Sequence, residues 1–241
     1  MTNTHFNRTL CFAVLALAAT LGCGDDLALP SSSGNGVDLT IVGGNDQTGI
    51  VGQELPDPLV VSVQSGGAPI PGHEVAFIVA GDAAAGRLEP DTAVTGSDGR
   101  AVAHWVLGPQ AGPYEVEARL VVSEPEPPPT AVFAASALAG EPDTMRAVSV
   151  LSQPGRIGRP VAEAPTVLVV DRFGNPVGGA EVAWDVTAGG GTTSGAATAT
   201  GEDGRASVTW TLGLGIGVQK LMARMEGVHG SPVTFTATVL F

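Results

Sequence analysis

Cysteine is nearly missing from this chain of 241 residues: Cys11 and Cys23 are the only two, both near the N-terminus, so no disulfide can staple the rest of the chain. Basic residues are scarce as well. Eleven Lys and Arg stand against 24 Asp and Glu, and a net charge of -13 is repelled by a phosphate backbone, which excludes nucleic acid as a partner. The four histidines, His5, His73, His104 and His229, have no cysteine companion and no partner at i,i+4, so no metal ion or other cofactor is expected. Aromatic residues make up 5% of the chain, with a single Tyr, so no exposed platform for stacking sugars is visible. Helical periodicity is lacking beyond the N-terminal segment, and the apolar run there is too short to span a bilayer comfortably.

In their place the chain has glycine, proline and small apolar residues. Gly 34 and Pro 18 make it rich in turns, while 44% hydrophobic against 15% charged residues supplies enough apolar surface to offset the entropy of ordering. The N-terminus reads as an export signal over residues 1–22. It has Arg8, no acid, an apolar stretch over residues 10–21, and Ala18, Ala19 and Gly22 as the small residues a signal peptidase needs. The segment Thr20-Leu21-Gly22-Cys23 resembles a bacterial lipoprotein lipobox, with Thr20 where Leu is usual. The resemblance implies that Cys23 is diacylated on sulfur and becomes the mature N-terminus. Residues 23–36, with Ser31-Ser32-Ser33-Gly34, are expected to form a flexible tether. Loss of Arg8 with the leader brings the net charge to about -14, so attachment to a membrane would come from the acyl chains alone.

The remainder of the chain repeats itself. Thr95-Gly96-Ser97-Asp98-Gly99-Arg100-Ala101 returns as Thr200-Gly201-Glu202-Asp203-Gly204-Arg205-Ala206, and His104-Trp105-Val106-Leu107-Gly108 as Thr209-Trp210-Thr211-Leu212-Gly213, both at an offset of 105. Gly49 and Gly52 pair with Gly155 and Gly158 at 106, and Glu74-Val75-Ala76-Phe77 with Glu181-Val182-Ala183-Trp184 at 107, the drift that loop insertions produce. A period of about a hundred residues is too long for a solenoid and fits one immunoglobulin-type sandwich. Two tandem domains are expected, over residues 37–139 and 140–241.

Within each repeat the hydrophobic period is two, which marks strands with one buried face. Ala206, Val208, Trp210 and Leu212 alternate with polar residues, as do Ala101, Ala103, Trp105 and Leu107. Leu59, Val61 and Val63 are matched to Thr166, Leu168 and Val170, and Tyr114, Val116, Ala118 and Leu120 to Gln219, Leu221, Ala223 and Met225. Each repeat closes on Phe133-Ala134-Ala135-Ser136 or Phe235-Thr236-Ala237-Thr238. The Asp-Gly pairs at 98–99 and 203–204 suggest type I′ turns. The fold class is therefore all-β, two tandem immunoglobulin-like β-sandwiches after an N-terminal signal peptide.

The second copy carries Val170-Asp171-Arg172-Phe173-Gly174-Asn175-Pro176-Val177, then Val182-Ala183-Trp184, the Thr-Gly-Glu-Asp-Gly-Arg-Ala turn, Trp210-Thr211-Leu212-Gly213 and Val233-Thr234-Phe235-Thr236-Ala237. Together these resemble the group-1 bacterial Ig-like domain found in invasin and intimin adhesins. The first copy departs at one element, reading Gln64-Ser65-Gly66-Gly67-Ala68-Pro69-Ile70. The resemblance implies an extracytoplasmic, surface-associated module used as spacer or adhesive unit.

Candidate chemistry is thin. Asp98, Glu202 and Asp203 lie at turn tips and supply far fewer than the 6 to 8 oxygen ligands of a calcium site. Glu115 and Glu117, at i,i+2, share the solvent face of one strand rather than facing across a cleft. Gly189-Gly190-Gly191 has no helix behind it to bind phosphate, and Trp105, Trp184 and Trp210 fall on inward positions. The Pro-rich segment over residues 123–130 reads as a stiff solvated loop. No catalytic residue is expected, and Cys23, as a lipidation site, is the one candidate site residue. The chain is thus expected to be an exported, lipid-anchored protein of the outer membrane or cell surface, without catalysis, meeting an unknown surface protein or glycan. The alternative is an extracytoplasmic polysaccharide-binding protein or a subunit of an envelope complex.

Overall fold

Alternating side chains between frequent glycines and prolines give short strands, and the computed structural model describes residues 36–81, 86–122 and 127–239 as strands and turns without an α-helix. The expected leader, Cys23 and the tether up to residue 35 lie outside the described residues. In the first half one sheet runs Val37–Gly43, Leu59–Ser65, Arg100–Leu107 and Gly86–Glu89 in spatial order, with Ala68–Pro69 folded back onto Leu59–Ser65. Opposite it run Gln47–Ile50, Thr130–Leu138, Gly112–Leu120, Glu74–Val79 and Thr92–Val94.

The second half has the same plan. Thr144–Ala147, Thr166–Val170 and Arg205–Ser207 form one sheet, Thr192–Thr193 pairs with Trp210–Thr211, and the opposing sheet runs Ser152–Gly155, Val233–Val239, Gly217–Arg224, Glu181–Ala188 and Ala197–Ala199. In each half the opening segment crosses from one sheet to the other. Gln47–Ile50 then lies parallel to Thr130–Leu138, and Ser152–Gly155 parallel to Val233–Val239. One glutamine pins each crossing: Gln47 donates through Nε2 to the carbonyl of Asp57 at 2.8 Å and accepts its N–H at 2.9 Å, and Gln153 treats Glu163 alike at 2.8 and 3.0 Å. An amide side chain thereby replaces the ladder pairing that the crossing interrupts.

Each half buries its own apolar cluster, one within residues 39–137 and the other within residues 145–239. Trp105 and Trp210 are among the largest fully buried side chains, and Phe77 against Phe133 at 6.4 Å is repeated by Trp184 against Phe235 at 6.2 Å. Thr95 and Thr200 are buried at matching turns, each hydroxyl donating to a carbonyl, of Ile70 at 2.7 Å and Val177 at 2.6 Å, so the repeated Thr is structural.

Two expectations need correction. The strand Thr166–Val170 buries Val167 and Val169, with Thr166, Leu168 and Val170 only partly covered. An offset of 107 holds only beyond the insertion that creates it. Up to this strand the offset is 106, as shown by Val63 and Val169, which accept the same turn hydrogen bonds from Ile70 and Val177. The extra residue lies in the loop between them, where Gly66 and Gly67 make a tight turn in the first half and residues 171–175 a longer one in the second. The Asp-Gly turns are also not type I′, which requires positive φ at both central residues. Only the glycines, Gly99 at φ 72 and Gly204 at φ 71, are left-handed. The N–H of Gly99 reaches the carbonyl of Gly96 at 2.9 Å and the N–H of Gly96 that of Arg100 at 2.9 Å, the pattern of a three-residue loop ending in a left-handed glycine.

Separate cores predict separate folding. A fragment of residues 140–241 is expected to unfold in one cooperative transition with β-type circular dichroism, and loss of that signal would show that the second half needs the first.

Candidate functional site

The residues singled out by sequence do not gather into a reactive centre. Trp105, Trp184 and Trp210 are all buried. Trp184 donates from Nε1 to the Thr198 hydroxyl at 2.6 Å, whereas Nε1 of Trp105 and of Trp210 is buried without a hydrogen-bond partner. Asp98 and Asp203 close their own turns, accepting from the N–H of Arg100 at 3.2 Å and of Arg205 at 3.1 Å. Glu202 is exposed beside them. Glu115 and Glu117 face outward, and Glu117 pairs with Arg119 at 2.7 Å. Gly189 to Gly191 link two strands, residues 127–130 of the Pro-rich loop are exposed or partly so, and residues 123–126 are not described. His104 meets Glu54 at 2.8 Å on the surface, the backbone of His229 pairs with Met145 and Asp143, and His5 is not described. Among the described residues no group of three or more His, Cys, Asp or Glu could hold a metal ion.

The most organised polar cluster lies instead where the halves join. Asp171, at the end of Thr166–Val170, is only 2% exposed. Its Oδ1 accepts from the N–H groups of Phe173 and Asn175, and its Oδ2 from the N–H of Gly140 and from Nδ2 of Asn175, all at 2.9 Å. Burial pushes this carboxyl's pKa up. The hydrogen bonds from the Asn175 side chain and from the Gly140, Asn175 and Phe173 backbones overcome that and hold it below its ordinary value. The loop so folded aims two side chains at the first half. Asn175 donates to the carbonyl of Pro109 at 2.7 Å and accepts the N–H of Ala111 at 2.8 Å, reading that backbone as a neighbouring strand would. Phe173 lies over Gly52, where an added Cβ would come within 3.0 Å of the ring, and Arg172 stacks on the same ring at 4.5 Å. A cleft of about 330 Å³ opens beside this contact, between Ile50, Gln53 and the Gly140-Glu141-Pro142-Asp143 joint.

Sequence reading recognised Asp171 to Val177 as a motif but missed this role. Its partners are distant in sequence, and Pro109, Ala111 and Gly140 contribute backbone atoms, which carry no residue signature. The usable signal was the asymmetry between the copies, since a longer polar loop in only one repeat points to work done outside that repeat.

Residues 162–238 match the family model of the bacterial Ig-like domain (group 1). This bacterial Ig-like span lies within the second half and includes the whole loop over residues 171–175. No curated protein matches the chain. Among solved structures the chain is similar to the D0-D1 domain of intimin, at 20% identity over 83% of this chain and 94% of that one, with a TM-score of 0.33. It is similar to FdeC, an Escherichia coli adhesin, at 18% identity over 86% of this chain and 65% of that one, with a TM-score of 0.48. Invasin, a bacterial integrin-binding protein, aligns at 19% identity over 84% and 39% of the two chains, with a TM-score of 0.33. The chain therefore spans less than two thirds of FdeC and of invasin.

Trp210, fully buried, is expected to lose about 3 to 5 kcal/mol of stability on replacement by Ala. Trp210→Phe should lose less, because it also removes an unsatisfied N–H. Native fluorescence should be blue-shifted and indifferent to oligosaccharides; equal melting temperatures for wild type and Trp210→Ala would contradict the burial.

Asp171→Asn is expected to cost about 1.5 to 3 kcal/mol near neutral pH, the worth of hydrogen bonds to a buried charge. Because the folded carboxyl titrates below its ordinary value of 3.8, its contribution is present above that pH and fades as pH falls through the lower folded value. The gap between wild type and variant in chemical denaturation should therefore close in acid. A gap that stayed constant below pH 3.8 would show that the charge is not what stabilises the loop.

Proposed function

We propose that this chain is a non-catalytic cell-envelope lipoprotein whose two tandem Ig-like domains, residues 37–139 and 140–241, serve as a surface spacer or adhesion module. The observation that carries the reading is the clasped junction. A joint of four residues, with Asn175, Phe173 and Asp171 each tied to a different part of the first half or the joint, holds one sandwich at a set angle to the other. Fixed orientation is useful to a protein that must present its far end at a distance, and it serves no reaction. The bacterial Ig-like match over residues 162–238 supports a place at the bacterial surface. The partner there is a surface protein or glycan, met by exposed loops and sheet faces rather than by a closed pocket.

The anchor is Cys23, diacylated on sulfur and left as the mature N-terminus when residues 1–22 are removed, with the Ser- and Gly-containing tether giving the first sandwich freedom to move away from the membrane. Because the acidic chain gains nothing from charge at the membrane, attachment rests on the two acyl chains of the diacylated cysteine. Cys23→Ser is expected to release the protein from membranes while leaving its circular dichroism and melting temperature unchanged. If the variant still sediments with membranes after a carbonate wash, the anchor lies elsewhere.

A further inference from the structure

The far tip of the second half is built on a similar plan to the surface that the Asp171–Asn175 loop occupies on the first. Residues 213–217 align with residues 108–112 at an offset of 105, and Gly158 aligns with Gly52 at 106. Both loops are braced from below at one equivalent position. Tyr114 donates from its hydroxyl to the carbonyl of Gln110 at 2.8 Å, and the buried Gln219 donates to the carbonyl of Gly215 at 2.8 Å and accepts the N–H of Gly213 at 2.8 Å. The neighbouring turn shares one tie, Leu107 N–H to the Gln53 carbonyl at 2.9 Å and Leu212 N–H to the Arg159 carbonyl at 3.0 Å, while the glycine N–H differs by one residue, Gly52 reaching the Gly108 carbonyl at 3.0 Å and Gly158 that of Leu212 at 3.1 Å. Gly158 has φ 64 where Gly52 has φ 70.

The two tips differ in what covers them. Gly52 lies under Phe173, but an added Cβ on Gly158 would meet nothing within 4 Å. Asn175 takes the Pro109 carbonyl and the Ala111 N–H, while among the described residues nothing engages the equivalent Leu214 carbonyl and Ile216 N–H. The exposed tip is also more apolar. Leu214 is 81% exposed and Ile216 54%, with Ile157 and Val218 exposed beside them, a concentration of aliphatic surface that a solvated loop end does not need.

We infer that this tip is a docking seat for a further Ig-like module that presents an Asp-x-x-Gly-Asn-Pro loop, its aromatic side chain over Gly158 and its Asn amide between the Leu214 carbonyl and the Ile216 N–H. A second copy of this chain does not suit the seat. Its first half has the two-residue Gly66-Gly67 turn in place of that loop, and the loop of its second half is already spent on its own first half. The inference rests on the spacer reading for its meaning, though its geometry and its test need no membrane and stand apart from Cys23.

The test repeats residues 140–241 directly after Phe241 in the soluble chain, which keeps the native joint spacing because Phe241 aligns with Ala139 when Phe235 is set on Phe133. Hydrogen exchange of the Ile216 amide is the readout, and that of Ala111 is the internal reference. In the lengthened chain Ile216 should slow by roughly tenfold or more toward the Ala111 rate. The slowing should vanish with Asn175→Ala in the appended copy alone. It should vanish also with Gly158→Asn, since Asn tolerates positive φ and its side chain fills the seat. Unchanged Ile216 exchange in a chain whose appended part gives a folded amide spectrum overturns the inference. Should the appended part not fold, a cyclic peptide of residues 170–177 added at millimolar concentration to the native chain reads the same seat. Amide shifts at Gly158 and Ile216 then support docking, and their absence overturns it.

Discussion

The relation between the halves depends on one buried carboxylate. Leaving the charge of Asp171 unsolvated would cost several kcal/mol, and the chain avoids this only by directing four donors at it. Two of those donors are backbone N–H groups of its own loop, one is the Asn175 side chain and one is Gly140 at the start of the joint. Satisfying a single charge therefore folds the loop, orients Asn175 and fixes the first residue that leaves the other sandwich. The ion pairs elsewhere, such as Arg87 with Glu89 or Arg224 with Asp185, lie in solvent and fix little.

Much of the fold was legible because alternation is a local property. Ala101 to Leu107 and Tyr114 to Leu120 bury the residues their period assigns inward, and the tryptophans obey the same rule. The strand Thr166–Val170 was misread because Thr-Val-Leu-Val-Val is apolar at nearly every position, so alternation gave no phase and the inferred repeat offset decided it wrongly. The turn type was misread for a different reason. Asp-Gly is compatible with several turns, and the choice among them was made by hydrogen bonds to Gly96 and Gly201, outside the dipeptide.

The junction was illegible for a third reason, the one with the most bearing on function. Asp171 and Asn175 are polar residues in a loop, and nothing local distinguishes a loop that caps itself from one that grips a neighbour. The distinction lies in the first half, which offers a carbonyl at Pro109, an N–H at Ala111 and a glycine without a side chain at position 52. None of these is encoded by a side chain. A recognition surface made of main-chain atoms and a glycine leaves almost no mark in a sequence.

That same fact explains how the two copies diverged without losing their architecture. Because Asn175 reads main-chain atoms, the side chains at the seat are free to change so long as the loop keeps its shape, and the shape is held from beneath by Tyr114 in one copy and Gln219 in the other. Tyr and Gln share little chemistry beyond reaching a backbone group from a buried position, yet each braces the loop that aligns with the other's. Leu214 and Ile216 stand where the first half has Pro109 and Ala111, and they do so without disturbing the sandwich beneath, since their side chains are exposed to solvent. The core sets the backbone, the backbone carries the contact with Asn175, and the exposed side chains of these loops are left free to vary.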